Sequence, residues 1–296
     1  INHPVLPGYM PTGTAVGLRN FKPTRESIKS ARILAKSFAL KRELNPPSDI
    51  CGVYLMGSCG TIAHSNASDI DIWVCPSTDL AQEQRVTLKE KCRLISQWAA
   101  SLKLEVHFFV MDEVEFKQKH RAEMDGEDCG NTQHYLLLDE FYRTGILIGG
   151  CLPIWWLVPD EFENEYQHFV DTLKEKRFVD SDTHIDYGSA KTIPTEEYVS
   201  AGIWQLYKSL ASPYKSALKL LLIEVYASEH PHTENLSSQY KRLVYSGDYD
   251  SDELDPYVLI YRKIEKYLLA KQDTHRLELM RRCLYFKVGV ALSQNV

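Results

Sequence analysis

The chain has 296 residues, 44% of them hydrophobic, which is enough to bury a full core in one large or two modest domains. Its seven cysteines include no C-x-x-C pair, so we expect reduced thiols in a soluble, cytoplasmic protein without a disulfide framework or zinc site. The formal net charge of −6 argues against a nucleic-acid partner, and no segment reaches the roughly 20 apolar residues of a membrane span.

The first forty residues combine an irregular arm with one helix. Residues 1–23 are rich in proline and glycine, which predicts irregular backbone laid over a domain. Thr24 is placed to cap a helix whose apolar stripe runs from Ile28 to Ala39. The other face is basic, and it is interpreted as a solvated face, with a phosphate-facing patch as the alternative. Its residues are Arg25, Lys29, Arg32 and Lys36.

Three strand patterns and a helical one follow the Pro46-Pro47 break. Residues 53–56 predict a short strand that ends at Gly57-Ser58, and residues 70–74 alternate as a second strand does. Helical periodicity over 80–102 then leads to a third strand over 104–110. This order predicts a small mixed sheet backed by helices.

The second half of the chain is predicted to be mainly helical. Residues 123–134 read as a polar loop, 135–148 as a helix closing at Gly149-Gly150, and 154–158 as another strand. Four helical patterns come after residue 190, at 196–210, 213–228, 256–271 and 275–292. We therefore predict an α+β fold, with a catalytic domain over 1–190 and a helical domain over 191–296 that completes the site.

The second strand carries the two residues on which the functional prediction depends. Asp69 and Asp71 are two apart on a strand, so they project to one face while Ile70 and Ile72 enter the core. Two carboxylates held in this way can bridge a pair of Mg²⁺ ions about 4 Å apart, with Mn²⁺ as the alternative metal. A lone Asp-x-Asp is weak evidence, because it is commonly a solvated strand edge.

Glu105 on the third strand is the candidate for a third carboxylate. If its strand lies beside that of Asp69, Glu105 would complete a metal-binding cluster, either as a ligand or as the group that takes the nucleophile's proton. The alternative is an exposed glutamate on a wet strand face.

The turn before the aspartates fits a phosphate. Gly57 lacks a Cβ, so the backbone can approach a triphosphate, and the Ser58 N–H and hydroxyl can donate to its oxygens. Ser68 would assist. The chain has no P-loop motif, and residues 69–80 lack the glycine and glutamate that an EF-hand requires.

Two levels of resemblance add to this pattern. Gly57-Ser58, nine further residues, Ser68 to Asp71 and the acidic strand at Glu105 resemble the DNA polymerase beta type nucleotidyltransferase superfamily. Longer blocks resemble the class I adenylate cyclases of gamma-proteobacteria. They lie at 71–75, 126–130, 132–134, 136–143, 204–209 and 212–215. One block departs from the family, because residues 197–200 read Glu-Tyr-Val-Ser in place of Glu-Tyr-Phe-Gly.

The resemblance implies conversion of ATP to 3′,5′-cyclic AMP and pyrophosphate with two metal ions held by Asp69, Asp71 and Glu105. It also implies that the helical domain presents side chains to the triphosphate. These are Ser212, Tyr214, Lys215 and Lys219, with Lys208 as a further candidate. The alternative for the lysines is the solvated side of an amphipathic helix.

The polar loop before the fourth helix is assigned more loosely. The loop around Asn131, Thr132, Gln133 and His134 would read adenine or orient a phosphate, and the alternative for His134 is a hydrogen-bonded loop histidine. Arg143 is spaced to pair with Asp139 at i, i+4.

Two other functions remain open from the sequence. One is a template-independent nucleotidyltransferase that moves AMP to a separate acceptor, and the other is a nucleotide-sensing module with a degenerate site. The family's C-terminal regulatory half, linked to the sugar phosphotransferase system, has no counterpart in these 296 residues. The resemblance implies it, with phosphotransferase components, as a partner in a full-length protein.

Overall fold

The computed structural model of the chain describes residues 3–11, 13–39, 48–66, 68–118, 133–180, 182–190, 193–247 and 249–289. Positions 123–132 of the predicted polar loop lie outside the described residues. The resemblance block at 126–130 and Thr132 are among them.

A four-stranded mixed sheet forms the centre of the first half of the chain. Its strands are β1 (Ile50–Met56), β2 (Ile70–Pro76), β3 (Val106–Val110) and β4 (Ile146–Gly150). They lie in the order β3-β2-β1-β4, with β1 antiparallel to both neighbours and β2 parallel to β3. The predicted α+β class, with a small mixed sheet backed by helices, is confirmed.

Helices cover both faces of the sheet. Helix α2 (Gln82–Ser101) packs Leu88 and Cys92 against Val74 on one face. On the other face, Trp73 stacks on Phe141 of α4 (His134–Thr144), with ring centroids 4.4 Å apart. Trp73 follows Asp69 and Asp71 at the same strand period, so the face that carries the carboxylates continues into a buried aromatic core.

The N-terminal arm runs beside the sheet and leads into α1 (Arg25–Leu34). Leu18 forms an isolated parallel bridge with Ile50, and the Thr24 hydroxyl accepts from Ser27 N, which confirms the predicted cap. None of the residues of α1 is buried, so its predicted apolar stripe reaches a core only beyond the helix, at Ala35 and Phe38.

Two predicted elements differ from the structure. The helix predicted over 135–148 ends at Thr144, and residues 146–150 form edge strand β4. The strand predicted over 154–158 is a 3₁₀ helix (Ile154–Leu157), because Trp155 is buried there and stacks on Tyr142 with centroids 4.2 Å apart. Tertiary packing overrides strand propensity at this point.

The second half of the described chain is helical. The four predicted patterns correspond to α6 (Thr195–Lys208), α7 (Pro213–Glu229), α9 (Pro256–Ala270) and α10 (Thr274–Val288). These helices share a core. The sequence did not predict α3 (Glu113–Gln118), α5 (Tyr166–Glu175), α8 (Leu236–Ser246), the short pair β5 (Leu152–Pro153) and β6 (His184–Ile185), or the 3₁₀ helices Asp160–Glu165 and Ser251–Leu254.

Helix α4 joins the two halves through a buried polar network. The predicted pair of Arg143 and Asp139 is confirmed, with Nε 3.5 Å from Oδ2. Asp139 also accepts from Tyr226 OH at 3.0 Å and from Ser237 N at 2.8 Å. Among the helices that the structure describes, none combines the length and apolar content required to cross a bilayer.

Candidate active site

Strand pairing brings the glycine turn beside the Asp-x-Asp pair. Asp71 pairs with Met56 across the two strands. Gly57, which follows Met56 in the chain, therefore lies beside Asp71. Gly57 has φ +78°, and a Cβ on it would lie 3.2 Å from Asp71 Oδ2. The position therefore favours glycine both for its backbone conformation and for the space it leaves beside a carboxylate.

The two aspartates have opposite pKa shifts. Burial and the charge of Asp69 raise the pKa of Asp71 above its ordinary value. Burial also acts to raise the pKa of Asp69, but the Lys215 ammonium, 3.4 Å from Oδ1, together with Lys219 and His107, outweighs it and leaves that pKa lowered. Two partly buried carboxylates that repel each other favour a bound cation.

Helix α7 presents two lysines to the sheet. Lys215 contacts Asp69, and Lys219, one turn later, lies 2.9 Å from Glu140 Oε2. Their side chains are only 19% and 23% exposed, so they do not form a solvated face. The helical half of the chain thus supplies positive charge opposite the carboxylate strand.

Glu140 is a charged residue of this site that the sequence did not predict. It lies on α4, where burial would raise its pKa, but Lys219 and Arg143 lower the pKa to about 2. Nothing in the local pattern indicated this role, because the Lys219 partner is 79 positions away. Glu140 is therefore ionised at neutral pH and holds Lys219 beside the aspartates.

The turn after β1 contains a buried hydroxyl with no partner. Ser58 is 2% exposed, and its Oγ forms no hydrogen bond with the described residues. A buried hydroxyl without a partner costs free energy, so it fits a place where a ligand oxygen is received. The Gly57 N–H, by contrast, donates to Thr144 Oγ1 at 3.4 Å.

Ser68 ends the loop that connects this turn to Asp69. Its Oγ accepts from Ser65 N at 3.0 Å and from Lys287 Nζ at 3.3 Å. Lys287 belongs to α10 and was not among the predicted site residues. Its contact with Ser68 spans 219 positions, which no local sequence pattern could indicate.

Glu105 lies beside the aspartate strand but faces outward. The Ile70 N–H donates to the Glu105 carbonyl at 2.9 Å, so the expected adjacency of the two strands is confirmed. The Glu105 side chain is 69% exposed, and its Oε1 lies 3.0 Å from His107 Nε2. Within the described ranges, no three acidic, histidine or cysteine side chains already surround one point. The role of Glu105 as the third metal ligand stays a prediction.

The other predicted nucleotide-binding residues lie around α4, α6 and α7. Lys208 is exposed, and its Nζ lies 5.0 Å from the centroid of the Trp204 ring. Ser212 precedes α7 without capping it through its side chain, and Tyr214 stacks on Phe286 with centroids 4.9 Å apart. His134 begins α4 and packs against Phe116, centroid to centroid 4.0 Å. Their roles toward a nucleotide stay predictions.

Comparison with known proteins identifies the family. The family model described as Adenylate cyclase NT domain matches residues 1–156, and that described as Adenylate cyclase, class-I, second domain matches residues 193–296. The chain is 39% identical over 296 residues to the adenylate cyclase of Escherichia coli (strain K12) and 40% identical over 300 aligned positions to that of Salmonella typhimurium (strain LT2). It is 39% identical over 298 positions to the adenylate cyclase of Yersinia pestis.

These alignments cover 99% of this chain and 35% of each relative, so the chain spans about a third of the length of the curated relatives it matches. The first family model covers the sheet region that carries Asp69 and Asp71. The second covers the helices that carry Lys215 and Lys219. The chain belongs to the class I adenylate cyclase family.

Proposed function

We propose that the chain converts ATP to 3′,5′-cyclic AMP and pyrophosphate. The observation that carries the proposal is the contact of Lys215 with Asp69, which joins the carboxylate strand to the helical half at one site. Family membership narrows the reaction to cyclisation, because the relatives are named adenylate cyclases. The cytoplasm, where ATP is abundant, is the proposed location.

The donor set fits divalent metal ions with hard character. Asp69 and Asp71 offer carboxylate oxygens on one strand face, and their mutual repulsion is what a cation would relieve. We propose that they hold two Mg²⁺ ions, or Mn²⁺ in their place, with Glu105 as the further ligand. When bound, the ions would lower the pKa of the ribose 3′-hydroxyl and neutralise negative charge on the triphosphate.

The chain's own residues then bind and orient the nucleotide. Ser58 has a free hydroxyl for a phosphate oxygen, and Lys215 and Lys219 bring two positive charges to the same side. The remaining proposed contacts are Gly57, Ser68, Lys208, Ser212, Tyr214 and His134. Holding the triphosphate in one orientation contributes to the rate, because positioning is a large part of phosphoryl-transfer catalysis.

The reaction itself is a displacement within one molecule. The 3′-oxygen forms a bond to the α-phosphorus while the bond from that phosphorus to the oxygen leading to the β-phosphorus breaks, and pyrophosphate departs. The hydroxyl proton passes to solvent or to the Glu105 carboxylate. No separate acceptor is required, in keeping with the net charge of −6.

Regulation is proposed to come from outside these residues. Since the relatives are about three times as long, a C-terminal regulatory domain and phosphotransferase-system components are the proposed partners in the whole protein.

The test is to incubate the chain with Mg²⁺ and adenine-labelled ATP and no other substrate. The proposal predicts cyclic AMP and pyrophosphate in equal amounts, and no product when EDTA is present. ATP that stays intact until an RNA end or small hydroxyl compound is added would instead establish transfer of AMP to a separate acceptor.

A further inference from the structure

Lys287 lies at the same site but comes from a different helix than the lysines discussed above. It is in the last turn of α10, is half-buried, and donates to Ser68 Oγ at 3.3 Å. Ser68 directly precedes Asp69. The ammonium of Lys287 is therefore held one residue away from the carboxylate strand.

A stacked aromatic pair brings α10 to this place. Phe286 stacks on Tyr214, and each of these rings adjoins a lysine in sequence, Lys287 and Lys215. Burial and the charge of Lys215 lower the pKa of Lys287, while Asp69 opposes them. The two lysines are thus close enough to repel, and the negative charge of Asp69 acts on both of them.

The lysines differ in their partners. Lys215 and Lys219 each form an ion pair with a carboxylate, but within the described residues no carboxylate lies within 4.0 Å of the Lys287 ammonium. A half-buried ammonium whose partner is a neutral hydroxyl is poorly compensated. Lys287 contacts Ser68 at one end of a loop, and the buried, unpartnered hydroxyl of Ser58 lies at the other end. Together these two groups indicate a site for an anion.

We propose that Lys287 binds the triphosphate of the substrate, donating from its ammonium to a non-bridging phosphate oxygen. This inference rests on the proposed nucleotide site and adds a residue of α10 to it. Three cations on two helices, Lys215, Lys219 and Lys287, then face the polyanion. A purely structural role for Lys287, as a tie between α10 and the Ser68 loop, would change stability without changing phosphate affinity.

The experiment compares Lys287→Met with Lys266→Met, which removes an exposed lysine of α9. Calorimetry in Mg²⁺ measures the binding of inorganic tripolyphosphate and, separately, of adenosine. We expect Lys287→Met to weaken tripolyphosphate binding about tenfold or more, because hydrogen bonds to charged groups contribute on this scale. Adenosine binding should not change, and Lys266→Met should match the wild type for both ligands.

Two further measurements keep the outcomes distinct. Lys287→Arg retains the charge and should retain most of the tripolyphosphate affinity, and unfolding curves show whether each variant is folded. Equal tripolyphosphate affinity in Lys287→Met and Lys266→Met, or no tripolyphosphate binding by the wild type, overturns the inference. A wild type that binds tripolyphosphate through Lys287 but forms no cyclic AMP overturns the proposed activity and leaves the inference standing.

Discussion

Asp69 and Asp71 are two residues apart, yet their surroundings differ. The Lys215 ammonium stabilises the charged form of Asp69, whereas burial and the neighbouring charge destabilise that of Asp71. A divalent cation between them would remove most of this cost. The arrangement is better suited to a ligand-bound state than to the free protein, which is a common property of sites shaped for function.

Glu140 shows how a charge outside the aspartate strand supports the site. It is paired with Lys219 and lies near Arg143, and these cations hold its pKa at about 2 despite burial. A carboxylate with a lowered pKa in the folded state stabilises the fold at any pH above its unfolded pKa. That contribution is lost as the pH falls toward 2.

We predict that Glu140→Gln lowers the free energy of unfolding at pH 7 by about 3 kcal/mol, because the folded-state pKa of about 2 lies well below the ordinary glutamate value of 4.5. The deficit relative to the wild type should shrink as the pH falls from about 4.5 to about 2. Urea unfolding in EDTA at several pH values measures it. The exposed Glu278 serves as the control, since Glu278→Gln should change stability by under about 1 kcal/mol. A pH-independent deficit in Glu140→Gln would contradict the assignment.

At the residue scale, local spacing and family resemblance each predicted part of the candidate site. The aspartates follow strand periodicity, whereas Lys215 and Lys219, which share a helix face, were implied by the resemblance. Glu140 and Lys287 become site residues through contacts 79 and 219 positions away. Such contacts depend on tertiary structure and leave no local pattern.

At the scale of elements, the loop from Ser58 to Ser68 is tied to helix α9. The Ile62 N–H donates to Asp255 Oδ2 at 2.7 Å, while Asp255 Oδ1 accepts from Tyr257 N and Val258 N as the cap of α9. One carboxylate therefore both begins a helix of the second half and fixes the loop that precedes Asp69. We therefore expect Asp255 to position this loop for the candidate site.

We predict that Asp255→Ala raises the KM for ATP about tenfold, because the loop loses a hydrogen bond to a charged group. It should also lower the free energy of unfolding by about 1 kcal/mol through the lost cap. Steady-state kinetics and urea unfolding measure the two effects. Asp273→Ala is matched, since Asp273 caps α10 through Arg276 N, and it should lower stability with KM unchanged. An equal KM in both variants would show that Asp255 acts only as a cap.

Prediction of elements succeeded where periodicity was long and failed at short apolar runs. Helices α7 and α9 carry three or more turns of pattern, and their predicted starts at Pro213 and Pro256 agree with the structure. Residues 146–150 continue the apolar character of α4, but Gly145 and the pairing with β1 turn them into a strand. Short apolar runs do not distinguish a helix from a strand.

At the scale of the whole molecule, a buried ion pair links the two halves. Lys241 of α8 donates to Glu163 Oε1 at 2.6 Å and to the Val158 carbonyl at 2.8 Å, and both side chains are 1% exposed. Its ammonium also lies 3.5 Å from the centroid of the Trp155 ring. The pair is fully enclosed, so each charge depends on the other.

We predict that Glu163→Gln lowers the free energy of unfolding by about 3 kcal/mol, because it leaves the Lys241 charge buried without its counterion. Adding Lys241→Met should recover part of the loss. The partly exposed pair of Arg262 and Glu253 gives the control, and Glu253→Gln should cost under about 1 kcal/mol. Urea unfolding measures all four proteins. Similar losses for Glu163→Gln and Glu253→Gln would contradict a supporting role for the buried pair.

Asp69, directly before β2, and Asp71 within it are proposed to carry the cyclase reaction in a site completed by α7. The most direct measurement is cyclic AMP formation from Mg²⁺ and ATP alone by the wild type, Asp71→Asn and Asp69→Asn. Asp79→Asn, an exposed change just beyond β2, is the control. We predict that the first two variants remain folded and lose about a thousandfold or more in rate, since metal stabilisation contributes several kcal/mol, while Asp79→Asn keeps its rate. Wild-type rates in both Asp69→Asn and Asp71→Asn would contradict the account.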